Sequence, residues 1–299
     1  MRLVRQGAEP ASWVGRVSSP LAARDGAIEE LGMPTPPPRK DLDLSVLIRT
    51  FNEADRIAST IHSIKDIATE IIVIDSGSTD RTVEQCESLG ARVIVNPWPG
   101  FGPQRHFGEE QCSRRYVFSL DADEVVTPAM AAEISRVLGA PRPPALLMVR
   151  KAMVFPHHEK PPPWGFCHEQ ILIYDKSVAR TAMNPNWDKL EILKPDRPYR
   201  LHEPLHHYSF RDWRHAVAKA NYVAKLAAET QAPKSRLELR LRLVFELPYT
   251  FLKFYFLRRY FLGGFDGLIM ATVTAFGRWL RIVMMYEATT LGEKQRRSA

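Results

Sequence analysis

Cysteine is scarce. Cys86, Cys112 and Cys167 are the 3 in 299 residues, and none forms a C-x-x-C pair. This excludes a disulfide-stapled scaffold and a cysteine-built zinc site, and the odd number fits a reducing compartment. Long apolar runs are also missing. The longest candidate, residues 267–277, is bounded by Asp266 and Arg278. It falls short of the roughly 20 residues a membrane crossing needs, so no transmembrane helix is expected. The N-terminus lacks the compact apolar core of a secretory signal, and no internal repeat is visible. Strong charge of one sign is absent too. The 41 basic and 34 acidic residues leave +7, a modest excess that favours anionic partners such as nucleotides, phospholipid or nucleic acid without choosing among them. At 45% apolar and 25% charged, the chain has an ordinary globular composition and is long enough to bury a real core.

Proline, at 23 residues, is unevenly spread. Residues 1–40 have no apolar period and end in Pro34-Thr35-Pro36-Pro37-Pro38, which reads as a disordered arm. Met33 is a candidate start of translation. From residue 42 the pattern changes. Short apolar runs at 44–48, 71–74, 92–95 and 116–120 read as strands, and 56–67, 80–89, 104–113 and 127–138 as the helices between them. Such alternation implies βαβ units, a doubly wound α/β fold and a mostly parallel sheet. Residues 145–155 and 170–174 read as further strands, separated by a loop holding Pro156, Pro161, Pro162 and Pro163. That loop is either an acceptor-side lid or a plain insertion. Trp213, Ala216, Val217, Ala220, Ala224 and Ala227 mark one face of an amphipathic helix, and Ser235 with Glu238 forms a capping box for the next. The expected organisation is an arm (1–40), a catalytic domain (41–230) and a helical segment (231–299).

In an open parallel sheet, ligands bind beyond the carboxyl ends of the strands. Arg49-Thr50-Phe51-Asn52-Glu53 follows the first strand, Asp75-Ser76-Gly77-Ser78-Thr79-Asp80 the second, and Asp121-Ala122-Asp123-Glu124 the fourth. Converging carboxylates are costly without cations. Asp121 and Asp123 suit Mg²⁺ or Mn²⁺, hard ions that take oxygen ligands and leave positions for phosphates. Each residue also has a plain alternative: Asp-x-Asp as a turn, Glu53 as an acidic helix start, Asp75 and Asp80 as turn and N-cap. The joint occurrence at successive strand ends favours the functional reading.

These segments, Ser45 to Glu53, Ile72 to Asp80 and Leu120 to Glu124, together with Trp98-Pro99-Gly100-Phe101-Gly102-Pro103-Gln104-Arg105, resemble family 2 glycosyltransferases of the GT-A fold, and the branch containing lipopolysaccharide-core glucosyltransferases. The resemblance runs from about Leu44 to about Tyr286. It implies that Thr50, Asn52, Glu53 and Asp75 hold the nucleotide, with Asp121 and Arg105 at the phosphates or sugar. Gln104 lies in the same implied nucleotide segment. It implies Asp123 and Asp121 as metal ligands, and His207, before Tyr208, as a third. Asp188 in Asn184-Pro185-Asn186-Trp187-Asp188 becomes the implied general base, although Trp187 stands where the family more often has His, and His106 where it often has Asn. The alternative for Asp188 is a surface pair with Lys189. The implied activity is inverting transfer of a hexose from a nucleotide-sugar, UDP-hexose first, to a lipid-linked or lipopolysaccharide-core acceptor.

Residues 241–262 interleave Phe245, Tyr249, Phe251, Phe254, Tyr255, Phe256, Tyr260 and Phe261 with Arg242, Lys253, Arg258 and Arg259. Rings and cations together suit an anionic membrane surface. The expected location is cytoplasmic, peripheral on the inner face of the membrane. Helices packing on the catalytic domain are the alternative. A nucleic-acid platform is not expected from so small a basic excess. Two other classes stay open: a nucleotidyltransferase, although Arg49 to Glu53 lacks a glycine-rich basic loop, and a catalytically silent membrane-associated binding protein.

Overall fold

The computed structural model describes residues 41–230 and 234–298, with side chains up to residue 290. The expected arm, 1–40, and Met33 lie outside the described residues. In chain order the elements are β1 (Leu44–Thr50), α1 (Ile57–Ile64), β2 (Glu70–Asp75), α2 (Thr82–Ser88), β3 (Arg92–Val95), α3 (Phe101–Gln111), β4 (Tyr116–Asp121), β5 (Glu124–Val126) and α4 (Pro128–Leu138). There follow β6 (Leu146–Met153), β7 (Cys167–Asp175), β8 (Ala179–Thr181), β9 (Leu190–Ile192), β10 (Tyr199–His207), α5 (Trp213–Thr230), α6 (Arg236–Leu252) and α7 (Gly264–Ser298). A π-helical turn (Lys253–Leu257) and a 3-10 turn (Tyr260–Gly263) join α6 to α7.

An 8-stranded sheet has the order β3-β2-β1-β4-β7-β6-β10-β5. β3, β2, β1 and β4 are all parallel, as the βαβ pattern implies. β7 enters antiparallel to β4 and β6, and β10 lies parallel to β6. The GT-A-type α/β fold expected from the sequence is therefore present, with one antiparallel strand inserted at its middle. β1 is apolar on both faces because both are covered. Leu44, Val46 and Ile48 face Ile57, Ile61, Ile64, Met130 and Ile134 of α1 and α4, whereas Leu47 joins Ile72, Ile74 and Val117 beneath α3.

α3 lies close because Gly108 faces the sheet. A Cβ there would sit 2.5 Å from Leu47 Cδ1 and 2.9 Å from Ile74 Cγ1. α4 starts as its sequence dictates, with Thr127 Oγ1 accepting the Met130 amide at 3.1 Å and Pro128 in the first turn. Ser235 caps α6 as expected, its Oγ accepting from Glu238 N at 3.2 Å, but the Glu238 carboxylate turns to Lys234 Nζ at 2.8 Å, so only one half of the capping box is made. The sequence signals did not reveal β10, because Pro204 interrupts it. A register shift between Arg200 and Pro204 absorbs the missing amide donor.

α5 packs along α7 rather than on the sheet, with Ala216 against Met270 and Ala271. Trp279 Nε1 of α7 donates to Leu243 O of α6 at 2.9 Å. α7 is longer than the uncharged stretches of the sequence indicate. Within Tyr260–Thr290 an 18-residue window has mean hydropathy 1.4 and is 33% buried, apolar and long enough to cross a bilayer by length and composition alone. Arg278, which bounds the apolar stretch, and Arg281 turn to Glu246 of α6 at 3.4 and 3.6 Å, and Arg242 meets the same carboxylate at 2.8 Å.

Two outcomes follow. Gly108→Val should cost about 1–3 kcal/mol through overpacking against Leu47 and Ile74, read as a lower urea midpoint with unchanged slope. Burial of Glu246 works against its ionisation, but Arg242, Arg278 and Arg281 outweigh it and hold its pKa below the ordinary value. Its contribution to stability is complete above the unfolded glutamate pKa of about 4.3 and disappears as pH falls through the lower folded value. Melting curves of wild type and Glu246→Gln should differ at neutral pH and converge in acid.

Candidate functional site

The parallel register brings the motif segments to one edge. Thr50 pairs with Asp75, and Arg49 with Asp121, so the ends of β1, β2 and β4 align. β10 brings His207 to the same edge, opposite Glu124 of β5. Between them lies a cleft of about 660 Å³ lined by Thr50, Glu53, Asp121, Asp123, His207 and Lys219, with Phe51, Trp98, Phe101 and Tyr222 as apolar walls.

Two arginines and two aspartates form a network at its base, in which Arg49 and Asp121 line the cleft and Arg105 and Asp188 stand behind them. Arg49 Nη2 lies 2.7 Å from Asp121 Oδ1 and 3.1 Å from Asp188 Oδ2. Arg105, 5% exposed, places Nη2 2.8 Å from Asp121 Oδ1 and Nε 2.9 Å from Asp188 Oδ2, while Nη1 donates to Ser119 Oγ. Burial opposes the charge on Asp121, yet the two guanidiniums outweigh it and hold the carboxyl well below the usual range. Asp188 is therefore not a surface partner of Lys189, whose ammonium instead lies 5.5 Å from the Trp187 ring centroid. Its loop docks on the start of α3, where Phe101 and Gly102 amides donate to Pro185 O (2.9 Å) and Asn184 O (3.0 Å). Gly100 permits this at φ +116, since a Cβ there would meet Pro185 Cα at 2.6 Å.

Asp123 is served by a separate set of cations. His207 Nε2 is 3.4 Å from Oδ1 and Arg56 Nη1 3.9 Å from Oδ2. Burial disfavours both ions of the first pair, but their mutual attraction lowers the Asp123 pKa and raises that of His207. Glu53 accepts from Arg56 (Nε, 2.8 Å) and Arg211 (Nη2, 2.9 Å). Glu124 is fully buried with Lys151 Nζ at 2.5 Å, and it accepts the Asp121 amide at 3.0 Å, which fixes the turn between the two aspartates.

Other sequence-identified residues shape the loops around the cleft. Asp75, 0% exposed, accepts from Gly77 N (2.9 Å) and Ser78 N (2.7 Å). Asn52, at φ +54, accepts from Thr79 N at 2.8 Å and so ties the loop after β1 to the loop after β2. Gln104 bridges Asn96 and Ser76, and His106 Nδ1 lies 2.9 Å from Thr181 O, away from the cleft. The Thr50 hydroxyl is buried in the cleft wall without a hydrogen-bond partner. Residues of the proline-rich loop line a different cleft, so the loop does not cover this one.

Among the described residues no group of three His, Cys, Asp or Glu gathers into a ready-made metal cage. The donors present, Asp123 and His207 with Asp121 beside them, still fit a divalent ion. Mg²⁺ and Mn²⁺ sites of this kind use one or two carboxylates and take their remaining ligands from phosphates and water. Sequence reading gave no role to Arg49, Arg56, Lys219 or Tyr222. Arg49 stood within the first motif, but its carboxylate partners lie 72 or more positions away. Lys219 and Tyr222 sat unmarked on a helix surface.

Residues 45–153 match Glycosyl transferase family 2. A glycosyltransferase of Rickettsia bellii is 34% identical over 82% of this chain and 86% of its own length. The chain belongs to glycosyl transferase family 2. This enzyme is also 26% identical to the lipopolysaccharide core biosynthesis glycosyltransferase LpsC of Rhizobium meliloti, over 84% of this chain and 94% of that one. A crystal structure of glucosyl-3-phosphoglycerate synthase from Mycobacterium tuberculosis with Mn²⁺ and uridine diphosphate is 26% identical over 38% of this chain and 45% of that one, with a TM-score of 0.31.

Removing one shared cation tests the network. Arg105→Leu should destabilise the glycosyltransferase by about 3 kcal/mol or more, because Asp121 and Asp188 keep only Arg49 between them. The check is a urea melt at neutral pH.

Proposed function

We propose that this glycosyltransferase moves a hexose from a nucleotide-sugar, UDP-hexose first, to a hydroxyl of a lipid-linked or lipopolysaccharide-core acceptor, with inversion and with Mg²⁺ or Mn²⁺. The observation that carries the reading is the convergence of Asp121, Asp123, His207 and the unpartnered Thr50 hydroxyl on one cleft large enough for a sugar nucleotide. A buried hydroxyl without a partner is costly, and a ligand oxygen or amide would satisfy it. Phe51, Trp98 and Phe101 offer faces for a base, and the apolar walls favour a planar ring over bulk water.

Asp123 and His207 would hold the divalent ion, with Asp121 beside them. When bound, it stabilises charge on the departing nucleoside diphosphate. Arg49 and Lys219 face the same cleft and add positive charge where the diphosphate develops its own. In an inverting transfer the acceptor oxygen attacks the anomeric carbon as the bond to the diphosphate oxygen breaks. The bonding electrons leave with the diphosphate, and the acceptor proton passes to a carboxylate within about 3 Å. Asp188 fits that role, and Arg49 and Arg105 fix its orientation. No covalent enzyme intermediate is required.

The lipid side of the reading rests on the C-terminal helices and the similarity to LpsC. Leu237, Leu241, Val244, Phe245 and Tyr249 of α6 and Phe265 of α7 are more than half exposed, a larger apolar face than solvent ordinarily meets. An anionic bilayer surface reached from the cytosol would cover it and present the acceptor.

A thermal-shift screen of sugar nucleotides should give a Mn²⁺-dependent rise for one UDP-hexose. Asp123→Asn should abolish that rise and lower transfer by about 10²-fold or more. Asp188→Asn should keep the rise and lose about 10²–10⁴-fold in turnover. Formation of a new phosphate ester would instead indicate a nucleotidyltransferase, and binding without turnover a silent binding protein.

A further inference from the structure

Highly exposed apolar side chains stand where two segments distant in sequence meet. Trp164, on the proline-rich loop between β6 and β7, is 84% exposed, and Leu257 and Phe265, at the elbow between α6 and α7, are 77% and 85% exposed. The segments are joined directly. Trp164 and Phe166 share a cleft of about 240 Å³ with Arg259 and Tyr260. The Arg258 guanidinium stacks 3.5 Å from the Phe166 ring centroid, and His158 Nε2 meets Asp266 Oδ2 at 2.7 Å. Tyr208 Oη, next to His207, donates to Glu159 O at 2.7 Å and braces the loop against the catalytic sheet.

Trp164 itself, and His157 and Arg259 beside the other exposed residues, have φ of +60, +66 and +55, a region bulky L-residues rarely occupy unless their surroundings impose it. Large apolar side chains left this exposed, close together on two joined segments, mark an interaction site.

We infer that the proline-rich loop and the α6–α7 elbow form one wedge that inserts Trp164, Leu257 and Phe265 into the headgroup region of an anionic bilayer. This rests on the membrane-surface reading above and names the part that enters the lipid. Charge selects the occupant. Arg259 lines the cleft beside Trp164 and the Arg258 guanidinium lies over Phe166, while Asp266 is taken up by His158. An aromatic tip with cations beside it matches headgroup depth, where indole rings settle and guanidiniums meet lipid phosphate.

The test uses the full chain with vesicles of phosphatidylglycerol mixed with phosphatidylcholine, and of phosphatidylcholine alone. Wild type should float with the mixed vesicles and bind the neutral ones far less. The Trp164→Ala/Leu257→Ala/Phe265→Ala variant should bind at least tenfold more weakly, since it removes the apolar area that the lipid would bury. Brominated phosphatidylcholine in the mixed vesicles should quench wild-type fluorescence, and the quenching should fall in Trp164→Phe, which isolates one of the 6 tryptophans. An unchanged melting temperature and Mn²⁺–UDP-hexose shift show that a variant has kept its fold and donor site. Wild-type flotation retained by the triple variant, or quenching unaltered in Trp164→Phe, overturns the wedge while leaving the membrane surface elsewhere. Failure of wild type to bind mixed vesicles overturns both. Concentration-dependent dimers that the triple variant abolishes, without flotation, would assign the tip to a second copy of the chain and equally overturn the inference.

Discussion

Two guanidiniums hold two carboxylates at the carboxyl edge of the sheet, and the organisation of the catalytic half depends on that neutralisation. Asp121 and Asp188 come from unrelated parts of the chain, yet Arg49 and Arg105 touch both. Without the cations, carboxylates so near one another would protonate or separate. With them, the strand end bearing Asp121, the start of α3 and the loop bearing Asp188 become one unit. The geometry upstream serves that unit. β1 pairs with β4 so that Arg49 stands opposite Asp121. Gly108 lets α3 approach the sheet closely enough for Arg105 to reach Ser119 and Asp121. Gly100 lets the Asp188 loop cap the amides of that same helix.

The parallel half was legible because its signals are local. β1, β2 and β4 are short apolar runs buried on both faces, and α1 and α4 carry an apolar stripe each, whereas α3 buries Gly102, Gln104, Arg105, Gly108 and Glu109. The acidic motifs were legible because topology places the ends of parallel strands together whatever their loops contain. The counter-charges were not. Arg49 reaches carboxylates 72 and more positions away and Arg105 reaches Asp188 across the whole central sheet segment, and Arg56, Lys151 and Lys219 look like ordinary surface cations until the sheet closes. β10 was missed for a different reason: Pro204 forbids a regular ladder, and only the register shift beside it lets the strand carry His207 to the site. Asp75 and Asn52 were legible as important residues. In this structure both shape the loops through backbone amides, work any reader of turn sequences would assign to Asp and Asn.

α7 shows how an amphipathic reading and a membrane-span reading can both start from the same residues. Two arginines break the apolar run in the sequence, yet Glu246 meets both in the folded chain. A helix with its charges answered by a neighbour, one face packed on α5 and α6 and the rest apolar and exposed, has the balance expected of an element lying along a surface.

α5 then connects that surface to the chemistry. Its Lys219 lines the catalytic cleft and also the groove between α5 and α7, where Ala220 touches Gly277 so closely that a Cβ there would lie 2.9 Å away. Arg211, just before α5, reaches Glu53, Asp55 and the Asn52 carbonyl of the loop after β1. A rigid helix anchored at one end to the nucleotide-side loop and packed along its length on α7 cannot shift at one contact without shifting at the other. Docking of α7 on a bilayer would therefore fix Lys219 and the loop after β1 together, so the acceptor surface and the donor cleft would be aligned by a single packed element rather than by separate adjustments.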